Sequence, residues 1–247
     1  FSEATLQIDT IATMEGKAVY TLQDKGTFIA ELTTDLTRSK SNEVENSIEI
    51  KVEAPHLWSA EDPYLYELHI EVMDKEGNVT EVMTEKVGFR RFEIKNSVML
   101  INGKRVVFKG VNRHEFSSKT GRVVSEEELI QDIVTMKKNN INAIRTCHYP
   151  DDVKIYHLCD EYGLYMIAEN NMESHGSWDP IVRGRADESS AVPGDNPKWL
   201  EMMLDRVNSM YQRDKNHPAV VIWSCGNESF GGRVIYEMSQ LYRKLDV

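Results

Sequence analysis

Residues 142–170 read NAIRTCHYPDDVKIYHLCDEYGLYMIAEN. A short strand-like run from Ala143 to His148, with Arg145 inside it, is followed by a helical stretch from about Asp151 that stops at Gly163, and a second short run, mostly apolar, spans Tyr165 to Asn170. Runs this short suit buried strands, and a glycine just past a periodic stretch ends a helix in the left-handed conformation. Strand, helix and strand in this order make one crossover unit of a parallel sheet. The alternation continues on both sides. Upstream, Val106 to Asn112 predicts a strand, and Ser125-Glu126-Glu127-Glu128 is a capping box opening a helix whose pairs Leu129/Ile133 and Ile130/Val134 share one face. Downstream, Asn196-Pro197 opens a helix with apolar residues at 200, 203, 204, 207, 210 and 211. Val220 to Ser224 then predicts a fourth strand, and Arg233 to Leu245 a last helix.

No glycine-rich phosphate turn follows any of these strands, which removes the usual signature of a dinucleotide-binding sheet. Each strand is followed instead by polar, chemically capable side chains: Asn112-Arg113-His114-Glu115, Arg145 with Cys147-His148, Glu169-Asn170-Asn171 with Glu173 and His175, and Asn227-Glu228. Reactive groups collected at the carboxyl ends of parallel strands are the mark of a TIM (β/α)8 barrel. Four strand-helix units make the first half of one. Residues 93–247 are therefore predicted to be a half barrel, entered through a hairpin at Asn102-Gly103.

Residues 1–92 follow a different period. Leu6-Ile8, Ile48-Ile50-Val52 and Tyr66-Leu68-Ile70-Val72 place apolar side chains at every second position, as half-buried strands require. Turn residues separate them at Glu15-Gly16, Lys25-Gly26, Pro55 and Asp74 to Asn78. The pattern predicts an immunoglobulin-like β-sandwich with Trp58 and Phe89 as core anchors. It contains no cysteine, so packing alone must hold its two sheets together.

The chain has 247 residues, 29 basic against 40 acidic side chains, and a formal charge of −11. That balance repels phosphate backbones and argues against nucleic acid or an anionic membrane as partner. No apolar run approaches the ~18 residues of a membrane span. Three cysteines without metal spacing read as small buried hydrophobes in a reducing compartment, so the expected location is cytoplasmic. The chain begins at Phe1 and stops directly after a helical pattern, which is expected of a piece of something longer.

Carboxylates, histidines and asparagines, with no serine or cysteine nucleophile motif, suit glycoside hydrolysis. Glu228 closes the run Trp223-Ser224-Cys225-Gly226-Asn227-Glu228 and is the best general-acid candidate; position alone also allows a helix-capping glutamate beside a turn glycine. Glu173 and His175, two apart, face one way if the segment is extended, and suit Mg²⁺ or Mn²⁺, with zinc also allowed by ligand type. A solvated loop pair is the plainer reading of those two. His114 and His148 close two different strands, where each is either a satisfied core histidine or a substrate contact. Arg145, inside a strand, needs a buried partner, and a nearby carboxylate such as Glu228 would be natural. His56, His69, His157 and His217 have no such placement, and His69 and His157 are read as surface residues. Trp178, in a long polar loop from about Ser177 to Asp195, either stacks on a sugar or packs on its own scaffold.

Taken together the motifs resemble the family 2 glycoside hydrolases, most closely their large bacterial β-galactosidase branch. The carrying segments include Pro55-His56-Leu57-Trp58-Ser59, Val87-Gly88-Phe89-Arg90, Leu100-Ile101-Asn102-Gly103-Lys104, Gly110 to Glu115, Arg145 to Pro150, Asn171 to Gly176, Arg213 to Pro218 and Ile222 to Ser229, in order along nearly the whole chain. The resemblance implies a retaining mechanism with Glu228 as general acid/base and Asn227 on the sugar 2-hydroxyl. It implies Mg²⁺ held by Glu173, His175 and Glu228, and galactose contacts from His114 and His148. The substrates implied are β-galactosides such as lactose, and the whole protein is expected to be a homo-oligomer. The Asn171-Met172-Glu173-Ser174-His175-Gly176 segment favours β-galactosidase over β-glucuronidase, which would also need a basic contact for its sugar carboxylate. No residue matches the family's nucleophile motif, so these 247 residues are expected to be inactive alone. A non-catalytic carbohydrate-binding module is the alternative from another class.

Overall fold

A computed structural model of the chain describes residues 1–38 and 44–246. It divides into two compact units, one of Phe1–Trp58 and Asp62–Arg105, the other of Ser59–Glu61 and Val106–Val247.

The first unit carries β1 (Glu3–Ala12), β2 (Gly16–Asp24), β3 (Thr27–Leu36), β4 (Val44–Glu53), β5 (Tyr66–Met73) and β6 (Val79–Val87). Strands β1 and β4 pair antiparallel, and the other four form an antiparallel sheet in the order β3-β2-β5-β6. The two-residue period decides the core. Ala18, Tyr20 and Leu22 of β2 lie opposite Val72, Ile70 and Leu68 of β5, and all six are buried. Ile50 and Val52 of β4 join the same cluster, with Leu6 and Ile8 of β1 packed against it. This is the expected two-sheet sandwich. Phe89 belongs to that cluster, and Trp58 is fully buried with its backbone N–H on the Phe89 carbonyl at 2.7 Å. All three cysteines are free thiols in the second unit, so no disulfide links the sheets.

A small meander follows: β7 (Phe92–Lys95), β8 (Val98–Ile101) and β9 (Lys104–Arg105). The β8–β9 turn has positive φ at both Asn102 (52°) and Gly103 (76°), the type I′ geometry that this dipeptide tolerates. By contacts the meander goes with the first unit, although the change of period along the sequence begins at residue 93.

The second unit is strand-helix alternation: β10 (Gly110–His114), α1 (Glu126–Lys138), β11 (Ala143–Cys147), α2 (Val153–Tyr162), β12 (Tyr165–Glu169), α3 (His175–Val182), α4 (Leu200–Asp214), β13 (Val220–Ser224) and α5 (Arg233–Leu245). Its four strands are parallel and in sequence order. Helix α1 starts on the expected capping box, and α2 ends at Gly163 with φ 78°. A side chain at Gly163 would also collide with the Ala60 carbonyl, 2.4 Å from an added Cβ.

Two sequence expectations need correction. The strand expected over Val106 to Asn112 begins only at Gly110, because the Asn142 side chain satisfies the backbone before it: Lys109 N–H donates to Asn142 Oδ1 at 2.7 Å, and Asn142 Nδ2 donates to the Val107 carbonyl at 3.1 Å. The stretch read as loop from Ser177 contains most of α3. Its Pro180, the sixth of eight residues, hid the helix; the missing N–H forfeits one bond, to the Gly176 carbonyl, in a helix of about two turns.

Candidate active site

Parallel strands in sequence order bring their carboxyl ends to one rim, and each of the four delivers a polar group there. At the end of β12, Glu169 is fully buried. A carboxylate removed from water must be paired. Its Oε1 lies 2.6 Å from His148 Nδ1, and its Oε2 accepts from Arg145 at 2.6 Å and from Ser224 Oγ at 2.7 Å. Arg145 stands on β11 and Ser224 at the end of β13, so one side chain ties three adjacent strands. Arg145 reaches further, donating to Asn227 Oδ1 at 3.0 Å. His114, at the end of β10, meets His148 edge to face with ring centroids 5.1 Å apart.

The segment after β13 is pressed against the segment after β12. Asn227 N–H donates to the Met172 carbonyl at 2.8 Å, and Glu173 and Asn227 form a parallel bridge. Gly226 permits this approach: its φ is 146°, and an added Cβ would lie 2.4 Å from the Met172 oxygen. Glu228 follows at φ 36°, a region that costs a non-glycine residue about 1–3 kcal/mol unless its surroundings hold it. They do. The Glu228 carboxylate contacts His175 Nδ1, and its backbone carbonyl accepts from Trp178 Nε1. Trp178 in turn stacks on His175 at 4.5 Å, so it braces this segment from α3. Asn227 Nδ2 donates to Glu173 Oε1 at 3.1 Å. The Glu228 side chain is half exposed.

Beside these groups opens a cleft of about 510 Å³ whose walls include His114, His148, Glu173, Arg122 and Arg206. Arg122 lies over the Tyr149 ring at 4.1 Å, and Arg206 donates to the Asn171 carbonyl. The size suits a sugar, and the wall offers histidine, carboxylate and guanidinium groups to its hydroxyls.

Comparison with known proteins gives the chain a family. Residues 92–247 match glycosyl hydrolases family 2, TIM barrel domain, and residues 3–90 match glycosyl hydrolases family 2. The chain belongs to glycosyl hydrolase family 2. A β-galactosidase of Halalkalibacterium halodurans is 49% identical over 99% of this chain and 24% of its own length, and one of Streptococcus thermophilus is 48% identical over 98% and 23%. This family 2 chain thus spans about a quarter of the length of these relatives. Among solved structures, a β-glucuronidase from Ruminococcus gnavus in complex with D-glucaro 1,5-lactone shares 27% identity at TM-score 0.79, covering 99% of this chain and 39% of that one.

At the strand-end rim of this family 2 chain, the residues singled out from sequence meet unequally. Glu228 meets His175 and Asn227 meets Glu173, while the ligand atoms of Glu173, His175 and Glu228 are not gathered within 4.8 Å of one another; His114 and His148 stand together on the same rim. Two carboxylates are donors that a hard divalent cation accepts, and the imidazole beside them is more usual for zinc and other borderline ions. Glu228 and His175 touch, whereas Glu173 is turned to Asn227. Among the described residues, the groups whose ligand atoms all lie within 4.8 Å are His114/Cys147/His148 and His157/Asp160/His217. The second of these locks a turn: His217 Nδ1 lies 2.5 Å from Asp160 Oδ2, and Asp160 Oδ1 accepts from Ala219 N–H at 2.9 Å, tying α2 to the start of β13. His157 is exposed, as expected.

The partner of Arg145 is Glu169, not Glu228 as the sequence suggested. Glu169 lies at the adjacent strand end, in register to meet it, while Glu228 lies past the turn at Gly226 and points to α3. Sequence reasoning gave Glu169 no role, and it overlooked Arg122 and Arg206 as cleft residues. A glutamate ending an otherwise apolar strand was the available signal for the first. The two arginines lie outside the motifs and carry none.

Proposed function

We propose that this chain is part of a β-galactosidase and carries the acid/base half of a retaining site, with Glu228 as the general acid/base. The observation that supports it best is Glu228 held beside Asn227, His175 and Glu173 at the strand ends of a chain 49% identical to a named β-galactosidase. Glu228 would protonate the glycosidic oxygen as the aglycone leaves and later take a proton from the attacking water. Asn227 would donate to the 2-hydroxyl, and His114 and His148 would contact the galactose ring. Glu173, His175 and Glu228 would hold Mg²⁺, or Mn²⁺ on the same donors. Bound there, the cation supplies fixed positive charge that orders the Glu228 carboxylate.

Retention needs a second carboxylate roughly 5 Å from the first. Glu169 is sealed by three donors, and Glu173 belongs to the cation set. The attacking group is therefore assigned to the protein outside these 247 residues, which should be inactive alone. We place the complete protein in the cytoplasm, as a homo-oligomer, on the three free thiols of this chain and on its family.

Arg122 and Arg206 in the cleft favour β-glucuronidase as the second reading, since guanidinium groups suit a sugar carboxylate. The complete protein assayed on nitrophenyl β-galactoside and β-glucuronide separates the two. Glu228→Gln should slow lactose hydrolysis by about 10²- to 10⁴-fold, and slow a nitrophenyl galactoside less, because an acidic leaving group needs little protonation. Near-normal lactose hydrolysis by this variant would refute the assignment.

A further inference from the structure

We propose that Glu169 and Arg145 are positioning residues that set the hydrogen-bond polarity of the sugar site, fixing Asn227 as a donor and His148 Nε2 as an acceptor. This rests on the reading of the rim as a glycoside-binding site.

Glu169, paired with a guanidinium, is acceptor-only, and each neighbour must present a proton to it. His148 meets it through Nδ1 at 2.6 Å. The ring proton therefore sits on Nδ1, and in the neutral ring Nε2 keeps a bare lone pair. Arg145 has donors only. Its contact with Asn227 at 3.0 Å fixes which end of the amide turns inward: the oxygen faces Arg145, and Nδ2 faces out. With the amide so turned, Nδ2 donates to Glu173 Oε1 at 3.1 Å. One buried ion pair thus dictates both groups.

A sugar hydroxyl can donate or accept, so a site of freely turning groups would accept many hydroxyl arrangements. With polarity fixed, one hydroxyl must accept from Asn227 and another must donate to His148. If the pair served only to neutralise charge in the interior, its loss would weaken folding and hurt all substrates alike.

The test uses the complete protein with nitrophenyl β-D-galactoside and its 2-deoxy counterpart. Arg145→Met should lower kcat/KM on both substrates, because Glu169 loses its counter-charge, but about 10-fold more on the first than on the second, since only the first carries the hydroxyl that reads Asn227. Glu169→Gln, which lets the network turn over, should reduce kcat/KM on both. Equal losses with the two substrates for Arg145→Met would overturn the proposal. Where either variant fails to fold, long-range nitrogen-15 spectra of the unaltered protein decide: a proton on His148 Nδ1 is expected, and one on Nε2 refutes it. Activity absent from the unaltered protein would sink the glycosidase reading, while the same spectra still judge the polarity.

Discussion

Gly226 lets two segments touch that carry most of the rim chemistry. Alanine there faces a φ of 146° and a Met172 oxygen 2.4 Å from its Cβ. Gly226→Ala should destabilise the second unit by about 2 kcal/mol or more, read by urea unfolding, and should cost activity in the complete protein by moving Glu228. Asp151 shows a different residue-scale effect. It is 1% exposed, with Oδ2 on Arg113 at 2.8 Å and Oδ1 without a hydrogen-bond partner. Burial first, and then the Glu115 carboxylate, push its carboxyl up to about 7 against the pull of Arg113. The unfolded chain releases this proton near the ordinary value of about 4. Between about pH 4 and pH 7 the folded state holds a proton that the unfolded state has lost, so its contribution to stability falls across that window and is level above it. Asp151→Asn removes the titration. Urea unfolding from pH 4.5 to 8 should show the stability of the unaltered protein, relative to the variant, declining up to about pH 7; a constant difference would contradict this. Residue identity alone carried the motif Gly226-Asn227-Glu228. It did not carry the role of Glu169 or the partner of Arg145, because burial and strand register decide those.

At the scale of elements, the legible features were those fixed by local chemistry. Ser125 Oγ accepts from Glu128 N–H, and Glu128 returns to Ser125 N–H at 3.2 Å while also accepting from Ser117 Oγ at 2.7 Å. The capping box and the Gly163 stop both stand in the sequence as residue types with one good use. Ser125→Ala should cost about 1 kcal/mol of stability in the second unit, measured by thermal or urea unfolding. The β10 boundary and α3 were less legible for a common reason. Asn142, distant in sequence, takes over the backbone groups that a longer β10 would have paired, and Pro180 lies inside α3, where proline ends a pattern reading although the helix continues past it.

At the scale of the molecule, the second unit's sheet poses a covering problem. Strands of a parallel sheet are buried on both faces. β11 and β12 obey this, each with four buried residues of five. β10 does not: Gly110, Val111, Asn112 and His114 are exposed, and only Arg113 is buried. Among the described residues, β10 and β13 each pair on one side only, so both outer edges offer unpaired backbone groups to any strand that fits. In a closed barrel such edges meet further strands. The isolated chain is therefore expected to associate, by edge pairing between copies or by capturing the rest of a barrel supplied as a separate polypeptide. Sedimentation velocity at micromolar concentration should show species larger than a monomer, shifting with dilution. Adding a polypeptide that holds the remaining barrel strands should replace them with one defined complex and protect the β10 amides from hydrogen exchange. A compact monomer across the concentration range, with β10 amides already protected, would mean that the chain covers its own edge and that the open-edge reading is wrong.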